Sequence, residues 1–167
     1  MSIEDATYVS FDLETTGFSV IHDGITEFGA VKIKNGEVID RLQSFVNPGK
    51  KIGTRVSQLT NITNEMVADA PTIKEFLPQI LEFFGDAILV AHNAKFDIGF
   101  LNESLKRLNQ KPITNPVIDS LALARAIMKP MKSYRLGNVC RVYRVNYDDD
   151  VAHRADYDAE VLGAVFT

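Results

Sequence analysis

Cysteine is nearly absent: Cys140 stands alone in 167 residues. That excludes an internal disulfide and fits a reducing compartment. Long hydrophobic runs are missing as well, and none approaches the roughly 20 apolar residues needed to cross a bilayer. The opening stretch MSIEDATY is acidic and polar, unlike a secretory signal. Positive charge is not in surplus. Against 18 Lys and Arg stand 22 Asp and Glu, a net charge of -4, which argues against gripping nucleic acid by bulk charge. Repeats, low-complexity tracts and linkers are also lacking. What is present is the length of one ordinary domain, 46% hydrophobic, enough to bury a core. The expectation is a soluble cytoplasmic protein, one domain over 1–167, with no membrane partner.

Residues 6–14 are rich in β-formers and read as a strand, as do 24–33 and 37–47. Asn35-Gly36 between the last two signals a tight antiparallel hairpin. Short helical pieces are expected at 54–60 and 63–68. A longer helix spans 71–86, with Thr72 and Glu75 as a capping-box pair and Pro78 awkwardly inside it. Residues 87–91 form a short apolar strand, 93–109 a helix, 116–119 a strand, and 120–128, 134–145 and 154–166 helices. Hairpin strands followed by alternating helix and strand indicate an α/β domain with a mixed sheet.

Within FDLETTG (11–17), Asp12 and Glu14 share one strand face with Ser10, while Val9, Phe11 and Leu13 share the other. On the strand alone, a solvated face explains the acids equally well. The helix at 93–109 shifts that balance. Its apolar stripe carries Leu101, Leu105 and Leu108, and Asp97 lies four residues before Leu101 on the same stripe. Stabilising the helix end is the competing role for Asp97. In the last helix Asp158, Val161, Leu162 and Val165 fall at i, i+3, i+4, i+7. Asp158 therefore faces inward, whereas Asp156 faces solvent. Four inward acids without partners would be costly, and no Lys or Arg falls at a clearly core-facing position. A divalent cation is the natural partner, and all-oxygen ligands suit Mg²⁺ or Mn²⁺. Four carboxylates suffice for two ions, the usual clamp for in-line attack at phosphorus. His153, five residues before Asp158, would diverge from it by about 140° on one continuous helix. It therefore belongs on the preceding loop or cap, where a near-neutral imidazole is a good general base.

FDLETTG, VAHNAKFDIGFL and HRADYDAE, in that order, resemble the three motifs of the DEDDh class of 3′–5′ exonucleases, over about Tyr8 to Val165. That class includes the proofreading epsilon subunit of bacterial DNA polymerase III, ribonuclease T and oligoribonuclease. LTNIT (59–63), NPVIDSLALAR (115–125) and MKSYRL (131–136) look most like the exonuclease domain of the PolC-type polymerase. Asn61 stands where that family usually has Gly, and Phe18 where Leu is common; Asn tolerates the left-handed turn. The resemblance implies a ribonuclease H-like fold, a mixed five-stranded sheet flanked by helices. It implies two Mg²⁺ or Mn²⁺ ions on Asp12, Glu14, Asp97 and Asp158, with His153 deprotonating the attacking water. The substrate would be a DNA 3′ end, released as 5′-mononucleotides in replication proofreading. An exoribonuclease on short RNA is the alternative within the class, and a catalytically silent nucleic-acid-binding module the alternative outside it.

The resemblance also suggests substrate contacts: Thr15 and Thr16 through backbone N–H or hydroxyl groups, and Phe18 and Ile62 against the last base. Turn-making and core packing are the competing roles. His92 and Asn93 sit at a strand end where such sheets bind ligands, with helix capping the competitor for Asn93. Lys132 and Arg135 resemble the family's basic loop and would meet phosphates; Arg141 and Arg144 read as a solvated helix face. Phe96 and Phe100 read as core, Asp119 as a helix cap and His22 as a surface residue. The chain stops nine residues after Asp158. A free-standing enzyme and a domain of a larger polymerase both remain open, the replicative polymerase being the expected partner.

Overall fold

The computed structural model describes residues 6–166; of the opening stretch discussed above, 1–5 lie outside the described residues. The described chain begins with β1 (Thr7–Thr15), β2 (Ile25–Lys34) and β3 (Glu37–Phe45). Asn35 and Gly36 both adopt positive φ, as a two-residue hairpin turn requires. Two short helices follow, α1 (Thr54–Thr60) and α2 (Asn64–Ala68), then α3 (Ile73–Phe84) and β4 (Ile88–Ala91). The remainder is α4 (Ala94–Arg107), β5 (Val117–Asp119), α5 (Ser120–Ile127), α6 (Leu136–Val142) and α7 (Ala155–Phe166). The five strands form one mixed sheet in the order β3-β2-β1-β4-β5, with β1–β2 and β2–β3 antiparallel and β1–β4 and β4–β5 parallel.

The two faces of the sheet carry different cargo because side chains alternate. On one face Val9, Phe11, Leu13, Phe28 and Ala30 pack with Phe76, Leu77, Ile80 and Phe84 of α3 and Phe100, Leu101 and Leu105 of α4. The other face bears Ser10, Asp12 and Glu14 of β1, opposite Val31, Gly29 and Glu27 of β2. Helix α7 lies across it. A side chain at Gly163 would crowd Val31 and Ile33, and a Cβ at Gly29 would collide with the backbone of Ala155 and Asp156. Gly29 is therefore needed for a helix start to touch a strand backbone.

Helix α3 runs unbroken through Pro78. The proline is exposed at mid-helix, so the one hydrogen bond it removes leaves the Lys74 carbonyl on the exposed side, while five buried residues hold the helix to the core. The Thr72 N–H donates to the Glu75 carboxylate at 2.8 Å, as the capping box predicts. Helix α6 is shorter than the expected 134–145. Arg144 turns left-handed at φ 59°, and the Val145 N–H closes on the Cys140 carbonyl at 2.9 Å. Asn61 is left-handed at φ 56°, as expected of its turn. Among the described residues no helix is long and apolar enough to cross a membrane.

Candidate active site

The end of β1, the first turn of α4 and the start of α7 meet around Asp12, whose carboxyl feels the charges of Asp97, Glu14 and Asp158. Asp97, 3% exposed, accepts the Leu13 N–H at 3.2 Å, which ties α4 to β1. Asp158, 6% exposed, accepts the His153 N–H on Oδ2 at 3.0 Å and the Tyr147 hydroxyl on Oδ1 at 3.2 Å. His153 is exposed and left-handed at φ 64°. That backbone is uncommon for a non-glycine residue, and such strain concentrates at functional sites. It lets the imidazole stand beside Asp158 instead of diverging along α7. Ligand atoms of Glu14, His153 and Asp158 all lie within 4.8 Å of one another, a grouping that fits a metal ion. Asp156, by contrast, is exposed.

Burial raises all four acids above the ordinary carboxylate value, and neighbouring charges add to it. Burial, followed by the charges of Asp97, Glu14, Asp158 and Glu27, pushes Asp12 well above the ordinary carboxylate value. Glu14 is pushed up to about 9 by burial and then by Asp158, Glu27 and Asp97. Asp97 rises to about 8 through burial, against the pull of backbone N–H donors. Burial also raises Asp158. A set of inward oxygen donors that repel one another, with an imidazole beside them, is the chemistry of a divalent-cation site.

A fifth inward acid was not anticipated. Glu27 is 0% exposed and sits opposite Glu14 in the β1–β2 register. Its partner is Arg154, whose Nη2 lies 2.8 Å from Oε1 and Nε 3.1 Å from Oε2. The expectation that no cation faces inward is thus corrected: the half-buried guanidinium of the residue after His153 reaches in to the buried Glu27. The signal was available. Glu27 has the same parity as Val31 and Ile33, the argument already applied to Asp12 and Glu14. Tyr147 was also missed, and no local pattern marks it.

The remaining expected contacts separate by geometry. Both threonine hydroxyls serve the β1–β2 loop: Thr15 donates to the Gly17 carbonyl at 2.7 Å and Thr16 to Asp23 at 3.1 Å. That loop presents Phe18, 89% exposed, edge-on to Phe96 at 6.3 Å. Ile62 is fully buried in a satellite core with Ile52 and Val67, so it has no surface to offer a base. His92 uses both ring nitrogens internally, at 2.9 Å from the Ser120 hydroxyl and 2.8 Å from the Tyr134 carbonyl. A carbonyl can only accept, so Nε2 carries the proton. Burial lowers the pKa of this imidazole, which keeps it neutral. His92 thereby anchors the segment that carries Lys132 and Arg135, both exposed. Asn93 is exposed and left-handed at the α4 start, with no side-chain cap. Its N–H donates to Asp119, which also caps α5 through Leu121 and Ala122. Phe100 is core, Phe96 packs against it with the rings tilted by 55°, and His22 is exposed.

Comparison with known proteins gives concordant matches. The family described as Exonuclease (RNase_T) matches residues 9–166. The DNA polymerase III PolC-type of Ureaplasma parvum is 49% identical over 167 residues, 99% of this chain and 12% of that one. The PolC-type polymerase of Bacillus subtilis is 43% identical over 159 residues, 95% of this chain and 11% of that one. The chain thus spans about a tenth of the length of these curated relatives. A solved structure of Exonuclease X in complex with 5′ overhanging duplex DNA superposes with a TM-score of 0.75 at 25% identity, over 96% of this chain and 88% of that one. Exonuclease I superposes with a TM-score of 0.85 at 19% identity, over 96% of this chain and 40% of that one, a likeness of fold.

Proposed function

The chain belongs to the exonuclease family, and from that premise we propose that it is a metal-dependent 3′–5′ DNA exonuclease that removes mispaired 3′ ends during replication. The observation that carries the reading is the meeting of Glu14, His153 and Asp158 within 4.8 Å, beside Asp12 and Asp97, whose carboxyls are pushed upward by burial. PolC-type relatives at 43% identity and above and a DNA-bound structural relative support DNA as the substrate.

In this reading Asp12, Glu14, Asp97 and Asp158 hold two Mg²⁺ or Mn²⁺ ions. Bound divalent cations supply a nucleophile at neutral pH and neutralise charge developing at phosphorus. The chain's own residues do the rest. His153, exposed beside the acids, takes the proton from the attacking water through its imidazole. Its N–H to Asp158 and the Tyr147 hydroxyl hold that carboxylate in one orientation. Phe18 offers an aromatic face to the terminal base, on a loop shaped by Thr15 and Thr16. Asn93, Lys132 and Arg135 line the approach, with His92 anchoring the basic segment. The net charge of -4 fits an enzyme that grips a few terminal nucleotides and leaves the duplex to other parts of a cytoplasmic polymerase.

The test is hydrolysis of a 3′-mispaired primer–template with Mg²⁺ by wild type and His153→Ala. Stepwise release of 5′-monophosphates from the 3′ end, lost in the variant by about 100-fold or more, is the expected result. Intact DNA with both Mg²⁺ and Mn²⁺, alongside cleavage of a matched RNA oligomer, would replace the reading with an exoribonuclease.

A further inference from the structure

Arg154 adjoins His153, and a cation in that place is readily taken for a grip on substrate phosphate. Its geometry says otherwise. The guanidinium forks onto Glu27 through three hydrogen bonds, and it lies over the Phe45 ring at 5.2 Å. The Glu27 carboxylate accepts two further donors, Gln43 Nε2 at 2.7 Å and the Ala155 N–H at 3.2 Å. Ala155 is the first residue of α7, whose opening N–H groups have no partner within the helix. Glu27 therefore caps α7 from a different strand, with its negative charge at the positive end of the helix. Arg154 carries the next link, since its carbonyl accepts the Asp158 N–H at 2.9 Å. Asp158 in turn accepts the N–H of the left-handed His153.

We propose that Glu27 and Arg154 are positioning residues: an ion pair between a buried carboxylate and a half-buried guanidinium that fixes the start of α7 and so sets His153 and Asp158 against Glu14, with the charge of Arg154 committed to Glu27 and not to substrate phosphate. The inference rests on the exonuclease reading above. Gly29 completes the clamp two residues along β2, where only a bare backbone lets Ala155 and Asp156 approach.

The experiment compares wild type, Glu27→Gln, Arg154→Met and the double variant on a single-stranded DNA oligomer at saturating Mg²⁺, with binding measured over a range of salt. Positioning predicts that each variant lowers kcat by about tenfold to a hundredfold, as loss of a supporting partner does. KM should stay within about twofold, the salt slope of DNA binding should be unchanged, and the double variant should be no worse than Arg154→Met. A phosphate grip predicts the opposite: KM rises with kcat held, and the slope becomes shallower by about 0.7 in Arg154→Met. Glu27→Gln decides even where Arg154→Met does not fold. It keeps the side chain's size and frees the guanidinium, so full kcat in that variant would overturn the proposal. Failure of wild type to cleave DNA would instead overturn the exonuclease reading, and the proposal with it.

Discussion

Raising the pH should tighten cation binding more steeply than any single carboxylate can explain. Without a cation, Glu14 titrates near 9 and Asp97 near 8, against ordinary values of 4.5 and 3.8. A folded-state value above the unfolded one contributes stability below the unfolded value and loses it as pH climbs through the folded one. Between about pH 4 and pH 9 these acids therefore weaken the cation-free fold progressively. Binding a divalent cation must expel their protons. With two protons leaving per cation, apparent affinity changes by up to about 100-fold per pH unit below about pH 8. At Mn²⁺ set to about 100 times its dissociation constant at about pH 8, binding stabilises the fold by about 2.7 kcal/mol. At about 2–4 °C per kcal/mol for a chain of this size, the melting temperature rises by about 5–11 °C. One unit lower at the same Mn²⁺, the constant has risen to meet the concentration. The gain then shrinks to about 0.4 kcal/mol, or about 1–2 °C. Thermal melts followed by circular dichroism, with and without Mn²⁺ at the two pH values, measure both shifts. Equal shifts at the two values, or a larger one at the lower pH, would refute the reasoning.

Asp12→Asn replaces a buried carboxyl that must take up a proton for the cation-free chain to fold; its cation-free melting temperature at about pH 8 should exceed that of wild type by about 2–4 °C, while the Mn²⁺-induced rise disappears from the same melts. Gly29→Ala should cost about 1–3 kcal/mol by thermal melt through overpacking against Ala155 and Asp156, and should lower kcat by about 100-fold because α7 carries His153 and Asp158 with it. Phe18→Ala touches almost nothing in the fold, so stability should stay within about 0.5 kcal/mol; fluorescence-anisotropy titration of a DNA oligomer should show binding weakened by about 1–3 kcal/mol. Tyr147→Phe deletes one of two donors on Asp158 and should raise the Mn²⁺ requirement in an activity titration by about tenfold.

Much of this architecture is legible in the sequence because its signals are local. Period-two alternation in 6–14, the Asn35-Gly36 turn and the capping pair Thr72–Glu75 each need only neighbouring residues to be read. The same is true of the inward direction of Asp97 and Asp158, which follows from helical spacing. Where reading from sequence fails, the deciding contact is distant. Pro78 is tolerated because α3 is held by the core on its other side. For Ile62 the sequence leaves a base contact and core packing open, and it is Ile52, ten residues back, and Val67 that enclose it in a satellite core. Arg154 and Glu27 are 127 residues apart, and neither announces the other. Tyr147 reaches Asp158 from a loop with no periodic pattern. The parity of Glu27 was readable, but its partner required the fold.

The carboxylates that must sit together come from the first strand and the last helix. Glu14 and Asp158 are separated by about 140 residues, so bringing them together closes nearly the largest loop this chain can make, at about 4 kcal/mol of chain entropy. Local hairpins and helices form early; a contact this remote forms among the last. During synthesis the strands and α3–α5 can be in place while the carboxylate set still lacks Asp158. The acids of the first strand thus wait for their last member until α7 has been made, a timing built into the order of these elements along the chain.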